Sequence, residues 1–177
     1  MSSFDRRTFL LMPLALAACG FTPVYGPGGT GTALHGKIRV DAPDNQDSYY
    51  LVRNLEERFG PTTAPEYDLS FTVRTSEQGQ AITAAGDITR YSIVGTVDFT
   101  LRRAADEAII ASGQVKNFAG YSATGLAVPI DPDDPSQGSL NASTVQTLAA
   151  ERDARERLMV MLADQIATRV LATADLT

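Results

Sequence analysis

Three stretches in the middle of the chain alternate between apolar and polar residues, and this pattern limits the fold more than any other feature. The first stretch has apolar residues at every second position: Tyr67, Leu69, Phe71 and Val73. The positions that follow them are polar: Asp68, Ser70, Thr72 and Arg74. Since successive side chains of a strand point to opposite faces of a sheet, the pattern predicts a strand with one buried and one solvated face.

Two further stretches follow the same rule. The second is predicted over residues 88–102, with one apolar row that consists of Tyr91, Ile93, Gly95, Val97, Phe99 and Leu101. The third is predicted over about 108–121, where Val115, Phe118 and Tyr121 fall out of strict period and indicate a β-bulge. The connection at 105–107 is short, so these strands are predicted to form an antiparallel meander. Residues 77–80 are predicted to be a turn or an excursion beyond the sheet.

A short strand and an amphipathic helix precede the meander. Residues 37–40 alternate as a strand does. The helix is predicted to begin with Asp47 or Ser48 as its cap and to end at Phe59, before Gly60-Pro61. Leu51, Leu55 and Phe59 form its apolar stripe.

A second, longer helix is predicted over about residues 142–172, capped by Asn141 or Ser143. Its predicted apolar side consists of Val145, Leu148, Leu158, Met159, Leu162, Ile166 and Val170. Residues 123–140, which precede and overlap its start, are rich in proline and are predicted to be a loop.

The order β-α-β-β-β-α predicts an α+β fold. A strand–helix–strand unit favours a parallel first pair, and the meander adds antiparallel strands. Two amphipathic helices would then cover one face of a four-stranded mixed sheet, as a two-layer sandwich. The other face would be open to solvent or to a partner, and its predicted members are Ser70, Thr72, Arg74, Ser92, Thr96 and Asp98.

The N-terminus has the pattern of a bacterial lipoprotein signal. Arg6 and Arg7 precede a short apolar run that ends in Leu16, Ala17, Ala18 and Cys19. This run is shorter than the approximately 20 residues of a spanning helix, so residues 1–18 are predicted to be a cleaved signal peptide. The four last residues match a lipobox, with Cys19 as the lipid attachment site. An ordinary cleaved signal with a coincidental cysteine is the alternative.

The predicted anchor also indicates where in the cell envelope the protein is located. Acyl chains on Cys19, palmitate among them, would hold the protein on a membrane. Gly20 follows Cys19, whereas lipoproteins kept in the inner membrane often carry Asp there, so we expect the periplasmic face of the outer membrane. The pair Arg6-Arg7 leaves both the general secretory route and the twin-arginine route open.

Residues 19–36 are rich in Gly, Pro and Thr, and they are predicted to be a flexible tether to a single domain over 37–177. Gly26, Gly28 and Gly31 fit the dinucleotide-binding pattern, but no strand precedes them and Pro27 interrupts them. We therefore expect no nucleotide site in this segment.

Composition argues against several classes of function. The 177 residues carry a formal net charge of −6, and the mature chain, without Asp5, Arg6 and Arg7, is near −7, which disfavours nucleic-acid binding. His35 is the only histidine and is interpreted as a solvated linker residue. The acidic group Asp131, Asp133 and Asp134 lacks an EF-hand pattern, so no metal is expected. With no catalytic motif and no cofactor signature, a binding or assembly protein is predicted instead of an enzyme.

The first mature residues carry a family resemblance. Cys19-Gly20-Phe21-Thr22-Pro23-Val24-Tyr25-Gly26 resembles the mature start of the lipopolysaccharide-assembly lipoprotein family LptE, in its alphaproteobacterial form. The order of the predicted helices and strands agrees with that family's fold. The resemblance implies a plug inside the outer-membrane β-barrel LptD that helps the barrel assemble and contacts lipopolysaccharide.

Lipopolysaccharide carries phosphates, which suit cationic side chains, arginine above all. The candidate contacts, on or near predicted strand ends, are Arg74, Arg90, Arg102, Arg103 and Lys116. Two alternatives stay open. One is a transport-accessory lipoprotein that binds another lipid or an inner-membrane exporter, and the other is an exported periplasmic enzyme.

Overall fold

Four strands and three helices make up the structure, a computed structural model that describes residues 24–82, 88–123, 138–174 and 176. The order along the chain is α1 (Thr30–Leu34), β1 (Ile38–Val40), α2 (Gln46–Phe59), β2 (Tyr67–Ile82), β3 (Ile88–Arg103), β4 (Ile109–Ser122) and α3 (Gly138–Thr173). The strands form one sheet in the order β1-β2-β3-β4, in which only β1 and β2 are parallel. The structure confirms the predicted mixed sheet and its topology. Helix α1 is not predicted from the sequence.

The hydrophobic core lies between one face of the sheet and the helices α2 and α3. The buried residues of the sheet include the predicted row on β3: Ile93, Val97, Phe99 and Leu101. The helices contribute Leu51, Leu55, Phe59, Leu158, Met159, Leu162 and Ile166. Both helices cover the same face, so the two-layer α+β sandwich is confirmed.

Helix α2 begins one residue before its predicted caps. The N-cap is Asn45, whose side chain accepts a hydrogen bond from the backbone N–H of Ser48 at 2.9 Å. The Ser48 hydroxyl in turn accepts from the backbone N–H of Asn45 at 2.9 Å, which completes a capping box. The prediction of Asp47 or Ser48 as the cap is therefore wrong. The end at Phe59 is confirmed, and Gly60 follows with φ +81°.

Strand β2 extends further than its polar sequence indicates. Residues 77–79 pair with β3 through Glu77↔Ile93, Gln78↔Ser92 and Gly79↔Tyr91, so the predicted turn at 77–80 is wrong. Backbone hydrogen bonds form a ladder whatever the side chains are, which explains why alternation does not reveal this extension.

The irregularity of β4 lies at its start. The register of β3 and β4 shifts between Leu101 and Arg102 and is regular from Ala111 to Ser122. Val115 and Tyr121 are buried on the helix side, whereas Phe118 points to the opposite face and is 65% exposed. A β-bulge in the third strand is thus present, but Phe118 is out of period for another reason: it belongs to the open face.

Helix α3 starts at Gly138, before the predicted caps Asn141 and Ser143, which lie inside it. Two residues of its predicted apolar side, Val145 and Leu148, are 66% and 49% exposed. Arg157 donates to the carbonyl of Gly120, close to the end of β4, so the turns that precede Arg157 run past the sheet. The apolar period therefore continues beyond the point where the sheet can cover it.

The C-terminal part of the predicted tether packs on the domain. Residues 30–34 form α1, and Leu34 is fully buried in the core. Gly31 donates to the Val24 carbonyl at 2.9 Å, and an added Cβ on Gly31 would lie 2.7 Å from the Tyr25 ring. His35 is exposed, as predicted. The residues from Val24 onward are thus held by local contacts.

The sheet has two ends that differ in what surrounds them. At the proximal end lie β1, α1, the end of α2 and the β3–β4 turn. At the distal end lie the last residues of β2, the first of β3 and the last of β4. The candidate site lies towards the distal end.

We expect the part of α3 that packs on the sheet and the part that runs past it to respond differently to truncation. Leu158→Ala removes a fully buried side chain and should lower the free energy of unfolding by about 2–5 kcal/mol. Leu148→Ala, on the same helix but exposed, should change it by less than about 0.5 kcal/mol. Urea denaturation of the mature domain measures both, and equal losses would contradict the observed packing.

Candidate functional site

The face of the sheet away from the helices carries the even-numbered residues of β2, β3 and β4. The register aligns them in rows across the three strands, and the rows towards the distal end are Arg74–Thr96–Lys116, Ser76–Val94–Phe118 and Gln78–Ser92–Gly120. Arg90 and Ser122 pair in the next row. These four rows are therefore polar except for the one that contains Val94 and Phe118.

A shallow concavity lies at the distal end of this face. Its volume is about 570 Å³, and its lining consists of Gln80, Arg90, Tyr91, Ser92, Phe118, Gly120, Tyr121 and Ser122. An added Cβ on Gly120 would meet only the Tyr91 carbonyl oxygen, at 3.5 Å, so the lack of a side chain there leaves open space. The exposed ring of Phe118 and the side chain of Arg90 stand on either side of that space.

Three of the five predicted cations lie on this part of the sheet. Arg74 forms an ion pair with Asp98, which also accepts a hydrogen bond from Gln114 at 2.6 Å. Arg90 and Lys116 are exposed, and no described residue forms an ion pair with either of them. The charge of Arg74 is therefore balanced locally, while the charges of Arg90 and Lys116 face solvent.

The other two predicted cations lie at the proximal end. Arg102 is on the open face, but it lies eight residues along β3 from Val94, a distance of roughly 26 Å, whereas Arg90 and the pair Thr96–Lys116 lie within four residues of Val94. Arg103 is the next residue, so it points to the opposite face, where it pairs with Asp106 at 3.2 Å. The five predicted residues thus do not form one cluster. We call Arg90, Val94, Lys116 and Phe118 the distal patch.

A charged network supports the distal end on the helix side of the sheet. Arg155 of α3 pairs with Asp47 at 3.1 Å, with Glu151 at 2.9 Å and with Glu77 at 3.9 Å. The Tyr121 hydroxyl donates to Glu77 at 2.6 Å. Burial and this hydrogen bond raise the pKa of Tyr121, so the phenol stays protonated at neutral pH. The network joins α2, β2, β4 and α3 directly behind the distal patch.

Sequence reasoning missed the apolar half of the distal patch. Val94 is half-buried and Phe118 is exposed, and they pair across β3 and β4. The available signal was the position of Phe118, an aromatic residue at an even place in a strand whose odd places are buried. The alternation itself marks it as an exposed aromatic residue.

Other predicted sites fall outside the described residues. This applies to the lipobox with Cys19 and to the acidic group Asp131, Asp133 and Asp134. Within the described ranges, no group of three or more His, Cys, Asp and Glu side chains has an arrangement that could hold a metal ion. No helix in that part of the chain combines the length and apolarity needed to cross a membrane.

The sequence matches the family model for LptE, described as lipopolysaccharide-assembly, over residues 36–170. No curated protein sequence matches the chain. The match agrees with the expectation of a non-enzymatic lipoprotein that serves lipopolysaccharide assembly.

One solved lipoprotein structure shares the fold, and two others show weaker similarity. A lipoprotein from Caulobacter crescentus is 19% identical with a TM-score of 0.60, over 83% of this chain and 96% of that chain. Rare lipoprotein B from Shewanella oneidensis is 12% identical with a TM-score of 0.45, over 77% and 93% of the two chains. Lipoprotein B from Nitrosomonas europaea is 15% identical with a TM-score of 0.47, over 77% and 82%. The family match covers most of the residues in the folded domain, and the chain therefore belongs to the LptE lipopolysaccharide-assembly family.

Proposed function

We propose that this protein is a lipid-anchored plug of the outer-membrane β-barrel LptD, which it helps to assemble for the insertion of lipopolysaccharide. The observation that carries the proposal is the LptE match over residues 36–170. The lipobox that ends at Cys19 supports attachment to a membrane through acyl chains, and Gly20 supports the outer membrane. The family gives the role in lipopolysaccharide assembly; the barrel partner and the location are our proposals.

The surface chemistry of the domain supports a plug. The lumen of a large outer-membrane barrel is polar, so a protein that fills it should present polar side chains. The open face does so with serine, threonine, glutamine and balanced charge, as in the pair Arg74–Asp98. The distal patch differs from these polar rows, because it combines an exposed ring with two cations that have no ion-pair partner among the described residues. Such a patch suits an amphipathic anion such as lipopolysaccharide.

Purification of the tagged full-length chain from its own envelope in mild detergent tests the barrel partner. We expect a β-barrel of the LptD type in a one-to-one complex, because a plug must be enclosed by its barrel. Recovery of the protein alone, or with an inner-membrane exporter, would contradict the plug. Recovery with an inner-membrane exporter would favour a transport-accessory lipoprotein.

The proposed anchor predicts that substitutions at two adjacent residues have different effects on acylation and on location. Cys19→Ser should abolish incorporation of labelled palmitate and release the chain from membranes, because no thiol then remains to be acylated. Gly20→Asp should keep the label but move the protein to the inner-membrane fraction. Labelling of the Cys19→Ser variant would contradict the lipobox.

We expect the two cations of the distal patch, Arg90 and Lys116, to bind the phosphates of lipopolysaccharide. Arg90→Gln and Lys116→Gln should each weaken lipopolysaccharide binding by about tenfold, because each removes one charge-assisted contact. Arg102→Gln, at the proximal end of the same face, is the matched control and should leave binding within about twofold. Binding of labelled lipopolysaccharide to the mature protein is the measurement. Equal losses in all three variants would indicate a general effect of charge and contradict the patch.

A further inference from the structure

The outer edge of β2 is open for most of its length. Strand β1 pairs with only Tyr67, Asp68 and Leu69, and Asp41 adds one hydrogen bond to the Leu69 carbonyl. From Phe71 to Gln78 no described residue makes a backbone hydrogen bond to this edge. The register with β3 is regular along the same stretch, so neither a β-bulge nor a proline breaks the edge.

The backbone groups that point outward can be identified. Tyr67 donates to the Lys37 carbonyl and Leu69 accepts from Asp41, so the odd-numbered residues of β2 turn their N–H and C=O towards this edge. In an antiparallel pair these groups alternate between the two sides of a strand. The odd residues beyond Leu69, such as Val73 and Thr75, therefore present N–H and C=O groups outward, while those of Thr72 and Arg74 bond to β3.

At the other edge of the sheet, which β4 forms, side chains bond to the backbone carbonyls. Two arginines of α3 reach the outward carbonyls of β4: Arg169 donates to Gln114 at 2.6 Å and Arg157 donates to Gly120 at 3.4 Å. Side chains that occupy edge carbonyls reduce the capacity of a strand to pair with another chain. The β4 edge is thus blocked in part, whereas the β2 edge keeps a row of donors and acceptors that no described residue uses.

A concavity lies beside the open edge on the helix side. Its volume is about 460 Å³, and its lining consists of Asn45, Gln46, Asp47, Val73, Thr75, Glu151 and Arg155. A strand added beside Val73 and Thr75 would direct every second side chain into this space. The charged network here has three carboxylates against one guanidinium, so a basic side chain fits the space electrostatically.

We propose that the outer edge of β2 from Phe71 to Gln78 takes an extended segment of the protein partner as a fifth strand, with a lysine or arginine directed into the concavity. Backbone donors and acceptors in a row are matched by another strand, which is the chemistry of β-strand addition. A second copy of this chain is the other possible occupant. It is disfavoured because a net charge near −7 makes identical copies repel each other. The proposal rests on the proposed barrel complex for the identity of the partner.

Thr75→Pro tests the proposal directly. Proline lacks the outward N–H of Thr75 and leaves the hydrogen bonds between β2 and β3 intact, which is where edge strands tolerate it. Thr75→Val is the matched control, since it keeps the N–H and loses only the hydroxyl bond to Asp47. In purification from the envelope, we expect about tenfold less barrel with Thr75→Pro and an unchanged amount with Thr75→Val. Equal recovery with both variants would overturn the added strand while leaving the plug intact, whereas absence of a barrel from the wild type would overturn the plug.

Amide hydrogen exchange supplies a second test that needs no substitution. In the isolated protein we expect fast exchange at Val73 and Thr75 and slow exchange at Thr72 and Arg74. In the complex all four should exchange slowly, because only strand pairing protects alternate amides of an edge. Unchanged fast exchange at the odd positions would overturn the proposal. A dimer of the isolated protein that Thr75→Pro abolishes would also overturn it, in favour of a second copy.

Discussion

The missing side chain at Gly95 allows the close approach of α3 to the sheet on which the rest of the structure depends. A Cβ at this position would lie 2.8 Å from the Leu162 Cδ1 atom and 3.1 Å from the Leu158 Cδ2 atom. Cβ atoms do not approach another atom as closely as 2.8 Å, so a larger residue would force the two leucine side chains or α3 itself to shift. Because α2 packs against α3, any shift of α3 would reach both helices. Both helices thus cover the same face of the sheet, and no helix among the described residues covers the other face.

The two ends of the strands differ in their surroundings, as the two faces of the sheet do. From Tyr67 to Gly79, β2 runs for roughly 40 Å at about 3.3 Å per residue. Gly20–Pro23 separate Cys19 from Val24, and a stretch of this length spans at most about 17 Å. In the proposed anchored state, the proximal end therefore stays near the membrane surface. The distal patch lies towards the other end of the sheet, so the anchor does not hold it at the surface of the leaflet.

Much of this fold follows from periodicity alone, and the errors in the extent of β2 and in the burial of α3 share one cause. Period-two alternation located Leu69, Phe99 and their neighbours, since burial of one face selects apolar residues there. Alternation does not predict that Glu77 lies within a strand, and the helical period does not predict that Leu148 is exposed, because sequence period does not reveal where one layer ends relative to another. Residue type and nearness to a strand end group Arg102 with Arg90, although the register puts the two at opposite ends of β3. Position along a sheet is a tertiary property, and only the strand register supplies it.

The two candidate surfaces at the distal end use different chemistry in different directions. The distal patch lies on the plane of the sheet, where Phe118 and Arg90 offer an apolar ring and a charge to a ligand above that plane. The outer edge of β2 offers backbone groups within the plane, at the side of the sheet that carries Val73 and Thr75. A strand added there would lengthen the hydrogen-bonded ladder without covering Phe118, because β3 stands between them. Partner binding at the edge and ligand binding on the patch can therefore occur together, as a plug that is held by its barrel and touches its cargo requires.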